Sequence, residues 1–205
     1  MKLTLIRHGL TEGNIRRLYY GAMDLPLLPD GIEALHALRD GGGYPEAERY
    51  FTSGMTRTEQ TFAALYGDRP HGTLPGMQEM RFGEFEGTYA DLKDDPAFRA
   101  WCSGDYENNV CPGGESWNGL TDRALQALAP ILAQGKDTVI VAHGGVIGGL
   151  MYRWFPGMPH RFVWTPGPGH GYPITFEDGK PVSYCTIPEH GTLGPDPDTK
   201  IPLGD

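Results

Sequence analysis

The sequence predicts an α/β protein, a three-layer sandwich with a mostly parallel central sheet and helices on both faces. Two continuous apolar runs, at 3–6 and 138–142, are rich in β-branched residues. Runs of this kind are typical of strands buried on both faces, as they are in parallel sheets. Strand-like and helix-like segments alternate along the chain around these two runs, and that order favours the α/β class.

Periodicity and glycine or proline breaks place the other elements. Further strands are predicted at 49–53 and 72–77, and a hairpin at 172–185. The stretch 8–30 is rich in turn residues, so we expect an irregular loop there. Helices are predicted to begin near positions 29, 54, 89, 117 and 146.

The chain is expected to form a single domain. With 205 residues it is long enough for one sizeable hydrophobic core. We assign that domain to 1–190 and a tail rich in proline and glycine to 191–205. The segment 88–118 is predicted to be an insertion over the sheet edge that acts as a lid.

Composition excludes several classes of function. The net charge of −9 disfavours binding to nucleic acid or to an anionic membrane, because both require a cationic surface. Three widely spaced cysteines do not suggest a disulfide framework, and reduced thiols favour a cytoplasmic protein. No apolar run approaches the length of a membrane span or resembles a signal peptide.

Both apolar strands end in the same way, with a histidine followed by glycine, at His8 and His143. A lone histidine at a strand end is more often structural than catalytic. Two of them, together with Arg7 and Arg57, predict a site for a tetrahedral dianion, because guanidinium groups bind phosphate oxygens in a bidentate manner. An imidazole in such a site can act as a nucleophile.

Charged residues elsewhere leave two interpretations open. A lone helical arginine such as Arg57 is usually solvated. In the first turn, however, it opposes the helix dipole, and a bound anion would compensate. Glu79 follows a predicted strand end and is placed to point into a cleft, whereas Glu84 and Glu86 are expected to be solvated.

Six motifs in this order resemble the histidine phosphatase superfamily, which has the phosphoglycerate mutase-like fold. The resemblance spans about residues 3–150. The motifs are Arg7-His8-Gly9-x-Thr11-x-x-Asn14, Tyr20-Gly21-x-x-Asp24-x-Pro26-Leu27, Ser53-x-x-x-Arg57-x-x-x-Thr61, Glu79-x-x-Phe82-Gly83-x-x-Glu86-Gly87, Pro112-Gly113-Gly114-Glu115-Ser116 and Ala142-His143-Gly144-Gly145.

The resemblance implies a metal-independent phosphomonoesterase without a cofactor that acts on a small phosphorylated metabolite. His8 would form a phosphohistidine, and Arg7, Arg57 and His143 would hold the phosphoryl oxygens. Glu79, protonated at first, would give its proton to the leaving alcohol and then activate water. The implied substrate-binding residues are Arg7, Thr11, Asn14, Tyr20, Gly21, Arg57, Arg81 and Gly144.

Other functions stay open at this stage. A cofactor-dependent phosphoglycerate mutase is disfavoured because the chain is short and contains the Pro112–Ser116 motif. A catalytically inactive member that binds a phospho-ligand is disfavoured because all five implied catalytic residues are present. The glycines at 144–149 lack dinucleotide-loop spacing, and the histidines lack zinc-ligand spacing.

Two features near the end of the predicted domain have two interpretations each. His170 lies between glycines and either places an extra imidazole near the cleft or belongs to a surface loop. The aromatic residues Trp154, Phe155, Phe162 and Trp164 either form a partner surface, consistent with a homodimer, or belong to the core.

Overall fold

A computed structural model describes residues 1–188 of the chain. The predicted tail at 191–205 therefore lies outside the described residues. A central sheet has the strand order β4-β3-β6-β1-β7-β8. Its strands are β1 (Lys2–Arg7), β3 (Arg49–Thr52), β4 (Gly72–Thr73), β6 (Thr138–Ala142), β7 (Gly171–Glu177) and β8 (Lys180–Tyr184). A separate two-stranded sheet pairs β2 (Leu18–Tyr19) with β5 (Gly87–Thr88).

The central sheet is mostly parallel. Strands β4, β3, β6 and β1 run parallel to one another, and β7 pairs antiparallel with both β1 and β8. The α-helices are α1 (Glu12–Ile15), α2 (Pro29–Asp40), α3 (Thr56–Tyr66), α4 (Tyr89–Leu92), α5 (Pro96–Trp101), α6 (Trp117–Leu132) and α7 (Gly144–Trp154). Short 3₁₀ helices occupy Pro75–Met77, Gly83–Phe85 and Arg161–Trp164.

Helices cover both faces of the sheet. Because successive strand residues point to opposite faces, neighbouring residues of β6 enter different cores. Val139 packs in the core that contains Phe62 of α3. Ile140 packs in the core that contains Leu120 of α6 and Ile147 of α7. The predicted three-layer α/β architecture is confirmed.

The strand register brings the candidate site residues to one edge of the sheet. Arg7 of β1 pairs with Ala142 of β6, and Thr52 of β3 pairs with Val141. Three parallel strands therefore end side by side. The residues that follow them are His8, His143 and Ser53, and they meet at the carboxyl edge, where open α/β sheets bind their ligands.

The stretch 8–30 is more ordered than predicted. Helix α1 forms because Thr11 caps it: its hydroxyl accepts from the Asn14 N–H while the Asn14 side chain accepts from the Thr11 N–H. Strand β2 then pairs with β5, which ties this stretch to the beginning of segment 88–118. Part of the order in 8–30 thus comes from contacts with a segment that is distant along the chain. The sequence of 8–30 alone does not indicate these contacts.

Three predicted boundaries are wrong by a few residues. Helix α7 begins at Gly144 and not at 146. The strand expected at 72–77 is only two residues long, because Pro75 opens a 3₁₀ helix. Helix α3 begins at Thr56 and not at 54, because Gly54 has a φ of 83° and cannot belong to a right-handed helix.

Segment 88–118 is packed onto the domain at both ends. Phe98 and Trp101 of α5 join the core and contact Tyr19 edge-on. Further along, the buried guanidinium of Arg161 pairs with Glu107 and donates to the Trp117 carbonyl. The action of this segment as a lid stays a prediction.

The aromatic residues near the end of the domain belong to the core. Phe162 and Trp164 are buried, and Trp154 and Phe155 are partly buried against the same core. Their sequence pattern therefore does not indicate a partner surface. Among residues 1–188, every helix is too short or too polar to cross a membrane.

Candidate active site

His8 lies at the centre of the carboxyl edge, and its two ring nitrogens have different environments. The ring is almost fully buried, and Nδ1 is 2.7 Å from the carbonyl oxygen of Gly9. Since a carbonyl can only accept, Nδ1 carries the proton. Burial, followed by the charges of Arg57 and Arg7, holds the pKa of His8 well below its ordinary value. His8 is therefore neutral at pH 7, with the lone pair on Nε2 available for attack.

His143 is completely buried beside His8, with ring centroids 5.3 Å apart. Arg57 Nε donates to His143 Nδ1 at 3.2 Å. Because arginine can only donate, the proton of neutral His143 lies on Nε2, which donates to Ser53 Oγ at 2.8 Å. Burial and the charge of Arg57 lower the pKa of His143 well below its usual value.

Both nitrogens of His143 are therefore engaged, and the residue does not line the cavity described below. In this arrangement its ring orients Arg57. A direct contact between His143 and a phosphoryl oxygen stays a prediction.

Arg57, at the beginning of α3, is fully buried. Besides contacting His143, it donates to the carbonyls of Met23 and Gly21, and it lies 5.1 Å from the Tyr20 ring centre. Guanidinium has five N–H groups, so these three hydrogen bonds leave two N–H groups for an anion. The alternative of a solvated surface arginine is wrong, because the loop carbonyls draw the side chain inward.

Arg7 provides a second cation beside His8. Its Nη1 donates to the Pro166 carbonyl at 2.8 Å. Its Nε is buried and has no hydrogen-bond partner within residues 1–188. A buried donor without a partner is costly in free energy, and a bound oxyanion would satisfy it.

Glu79 lies against the N-terminus of α7. Its Oε1 accepts from the Met80 N–H at 2.9 Å, and its Oε2 accepts from the Gly145 N–H at 3.0 Å. A Cβ at 145 would lie 2.5 Å from Glu79 Oε1 and 2.9 Å from Trp117, so glycine at this position lets the carboxyl group come close to the backbone without displacement. The carboxyl group is thereby fixed at the cavity wall, where it can exchange a proton with a ligand.

These residues surround a cavity of about 230 Å³. Its polar part contains Arg7, His8, Arg57 and Glu79. The remaining lining includes the polar residues Asn14 and Arg17 and the aromatic residues Tyr19, Tyr20, Phe82, Tyr89, Trp117 and Phe162. The cavity can therefore take a ligand that has an anionic group at one end and an apolar body at the other.

Comparison with known protein families decides the assignment. Residues 3–182 match the model of the histidine phosphatase superfamily, branch 1. The chain belongs to the histidine phosphatase superfamily. The family predicted from the six motifs is thus confirmed.

Relatives within the superfamily include phosphatases and mutases. The adenosylcobalamin/alpha-ribazole phosphatase of Escherichia coli K12 is 32% identical over 174 residues, which cover 80% of this chain and 83% of that protein. A 2,3-bisphosphoglycerate-dependent phosphoglycerate mutase of Xanthobacter autotrophicus is 30% identical over 168 residues, covering 73% of this chain and 78% of the mutase.

Solved structures agree with this assignment. The alpha-ribazole phosphatase of Shigella flexneri superposes with a TM-score of 0.78 at 28% identity, covering 89% of this chain and 94% of that one. A mutant phosphoserine phosphatase of Entamoeba histolytica in complex with phosphoserine gives a TM-score of 0.74 at 27% identity, covering 89% and 95%.

The other predicted substrate-binding residues of this histidine phosphatase separate into two groups. Asn14, Tyr20 and Gly144 line the cavity. Thr11 is buried outside the lining, where its hydroxyl is 2.7 Å from the Tyr20 hydroxyl. Gly21 also lies outside the lining and contributes the carbonyl that accepts from Arg57.

Arg81 and His170 are not among the cavity residues. The Arg81 side chain is 60% exposed and pairs with Glu115 at 3.4 Å, so the structure does not bring it to the cavity. His170 Nδ1 is 3.0 Å from the Pro168 carbonyl, which favours the loop interpretation. Its backbone carbonyl accepts from the Arg7 N–H at 2.9 Å.

The supporting roles of three residues, Glu86, Glu115 and Arg123, were missed from the sequence. Glu86, expected to be solvated, accepts from the backbone N–H groups of three consecutive residues, 21–23. Glu115 is buried and pairs with Arg123, whose guanidinium donates to three carbonyls of the segment that leads to Glu79. Glu86 and Glu115 lie within the recognised motifs, which identified them without indicating their partners.

No cluster of three or more histidine, cysteine, aspartate or glutamate side chains in residues 1–188 is arranged to hold a metal ion. In the candidate site, cationic groups are supplied by arginine side chains.

Proposed function

We propose that this histidine phosphatase is a metal-independent phosphomonoesterase that forms a phosphohistidine on His8. The observation that carries the proposal is the environment of His8: Nδ1 is bonded to the Gly9 carbonyl, which leaves Nε2 as the nucleophile beside Arg7 and Arg57. The 32% identical relative from Escherichia coli, named as a phosphatase, supports the same reaction class.

In the first step, His8 Nε2 forms a bond to phosphorus while the ester P–O bond breaks. The protonated carboxyl of Glu79 gives its proton to the leaving oxygen. Arg7 and Arg57 donate to the phosphoryl oxygens, where their charge stabilises the transition state. Both cations are present before the substrate enters, so no reorganisation is required at the moment of reaction.

In the second step, the Glu79 carboxylate takes a proton from water. The water oxygen bonds to phosphorus while the bond from phosphorus to His8 Nε2 breaks. Inorganic phosphate leaves, and both His8 and Glu79 return to their starting forms. Glu79 thus acts as a general acid in the first step. Because that step leaves it as a carboxylate, it can act as the general base in the second.

The substrate we propose is a small phosphate ester whose alcohol carries a ring. The aromatic wall of the cavity supports this, because flat rings pack well on aromatic side chains. The names of the relative from Escherichia coli and of a solved structure from the same species make α-ribazole 5′-phosphate a candidate. Phosphoserine and 3-phosphoglycerate are the candidates that other neighbours suggest.

The test is phosphate release from p-nitrophenyl phosphate and from these three esters, with a chelator present, by wild type and by His8→Ala. We expect release by wild type and at least a 10³-fold loss in the variant, because removing the nucleophile removes the covalent route. Substantial activity in His8→Ala would overturn the assignment of the nucleophile.

The same assay separates the alternatives. Interconversion of 3-phosphoglycerate and 2-phosphoglycerate that depends on 2,3-bisphosphoglycerate, without net phosphate release, would identify a mutase. Binding of the esters without turnover would identify an inactive member. The cytoplasmic location and the homodimer expected from the sequence belong to this proposal, and sedimentation analysis tests the dimer.

A further inference from the structure

Two carboxylates outside the catalytic cavity each hold a different part of it. Glu86 and Glu115 do not line the cavity, yet each is bonded to a loop that carries a site residue. Glu86 acts on the loop that holds Arg57, and Glu115 acts on the segment that carries Glu79.

Glu115 forms a buried fork with Arg123. The Glu115 side chain is 9% exposed, and its Oε1 and Oε2 accept from Arg123 Nη2 at 2.7 Å and Nε at 3.2 Å. With this side fixed, Arg123 donates to the carbonyls of Gly76, Gln78 and Glu79 at 2.9 to 3.3 Å. A planar guanidinium held by a bidentate pair fixes the direction of its remaining donors.

Glu115 also holds the far side of Glu79. Its Oε1 accepts from the Arg81 N–H at 3.0 Å, and its own N–H donates to the Arg81 carbonyl at 3.0 Å. The backbone is therefore bonded both before and after Glu79. The acid side chain has little freedom to leave the cavity wall.

Glu86 has a different target. Its Oε1 accepts from the N–H groups of Gly21 and Ala22 at 3.1 and 2.6 Å, and its Oε2 accepts from Met23 at 3.2 Å. These bonds orient the carbonyls of residues 21 and 23, which accept from Arg57 Nη2 and Nη1. The Glu86 carboxylate thus sets the position of the guanidinium that would bind phosphate.

We propose that Glu115 and Glu86 are positioning residues with separate roles, Glu115 for protonation of the leaving group by Glu79 and Glu86 for phosphate binding by Arg57. This inference rests on the proposed phosphomonoesterase function. Glu115 acts through Arg123, and Glu86 acts through the backbone of residues 21–23.

The two roles predict different kinetic defects, which two esters of similar shape can separate. p-Nitrophenolate is a good leaving group and needs little protonation, whereas the phenolate of phenyl phosphate depends more on a general acid. In Glu115→Gln, kcat/KM for phenyl phosphate should fall about 10-fold more than for p-nitrophenyl phosphate. Glu79→Gln should show the same preference more strongly.

In Glu86→Gln, kcat/KM should fall by the same factor for both esters. The inhibition constant of inorganic phosphate should rise about 10-fold, because phosphate contacts Arg57 whatever the leaving group. Glu84→Gln, an exposed carboxylate on the same loop, is the matched control and should resemble wild type in every measurement. Thermal unfolding of each variant shows whether it folds.

Two conservative variants provide a second route if a glutamine variant does not fold. Arg123→Lys keeps the charge and removes the fork, so it should give the defect of Glu115→Gln. Glu86→Asp shortens the carboxylate and should give the defect of Glu86→Gln.

Equal losses for both esters in Glu115→Gln and Arg123→Lys, or a changed ester preference in the Glu86 variants, would overturn the separate roles. If wild type releases no phosphate from either ester, the proposed function fails first.

Discussion

Ser53 supplies the hydrogen-bond acceptor for the one proton on the His143 ring. The hydroxyl is fully buried and accepts from His143 Nε2 while Arg57 Nε donates to Nδ1. Removing the hydroxyl leaves the Nε2–H without its acceptor, and moving that proton to Nδ1 would set it against the Arg57 N–H. Arg57 therefore fixes the tautomer of His143, and Ser53 satisfies the N–H group that results.

Ser53→Ala is expected to lower the free energy of unfolding by about 1 to 3 kcal/mol, the typical cost of an unsatisfied buried donor. Urea denaturation measures this change. Ser103→Ala is the control, because Ser103 is exposed and its hydroxyl donates to the nearby Ala100 carbonyl. It should change stability by less than about 0.5 kcal/mol. Equal stability of Ser53→Ala and wild type would contradict a stabilising hydrogen bond between Ser53 and His143.

The sequence predicted the place of a site residue where a chemically reactive side chain directly follows a recognisable strand. His8 and His143 follow apolar strands and precede glycine, so both their type and their place were visible. The tautomer of His143 was not visible, because Arg57, which fixes it, lies 86 residues away along the chain. Nor was the burial of Arg57, which depends on carbonyls 34 and 36 residues away.

At the scale of the element, the turn after α1 contains backbone strain. Arg17 follows the helix with a φ of 52°, a left-handed conformation that costs a residue with a Cβ about 1 to 2 kcal/mol. Arg17 also lines the cavity. An arginine therefore lies beside the candidate site at a backbone position whose conformation favours glycine.

Arg17→Gly should be more stable than Arg17→Ala by about 1 kcal/mol, since both variants lose the side chain and only glycine relieves the strain. Arg16 is the matched control, because its φ is −82°. There the order should reverse, with Arg16→Ala more stable than Arg16→Gly. Urea denaturation of the four variants measures both differences. The same order at both positions would exclude strain at Arg17.

Helices and strands were predictable from the sequence where their own apolar pattern identifies them. The long apolar stripe of α6 and the β-branched run of β6 belong to this class. Strand β2 does not, because it is two residues long and depends on pairing with β5. The supports given by Glu86 and Glu115 were missed for the same reason, since the loops that they hold are distant in sequence.

For the whole molecule, burial of two neutral imidazoles links folding to pH. The pKa values of His8 and His143 are lowered by burial first and by neighbouring arginines second. In the unfolded chain both would titrate near the ordinary pKa of about 6.5. Below that pH the unfolded state binds more protons than the folded state, so folding loses free energy as the pH falls.

Stability should therefore decrease between pH 7 and 5, with each of the two histidines contributing up to about 1.4 kcal/mol per pH unit. Above pH 7 their contribution fades, because the unfolded histidines lose their protons there too. Urea denaturation at pH 5, 6, 7 and 8 measures the slope. His71 acts in the opposite direction: despite partial burial, its pKa is raised by bonds to the Arg69 carbonyl and to Glu59.

His8→Gln separates these contributions, because it leaves His71 and His143 in place. The informative quantity is the change in the free energy of unfolding per pH unit between pH 6 and 5, and not the stability at pH 7. We expect this slope to be smaller in His8→Gln than in wild type by about 1.4 kcal/mol per pH unit. An unchanged slope would mean that His8 binds a proton in the folded protein as readily as in the unfolded chain, which would contradict the lowered pKa of its buried ring. This solution measurement thus tests the protonation state on which the proposed reaction depends, without any substrate.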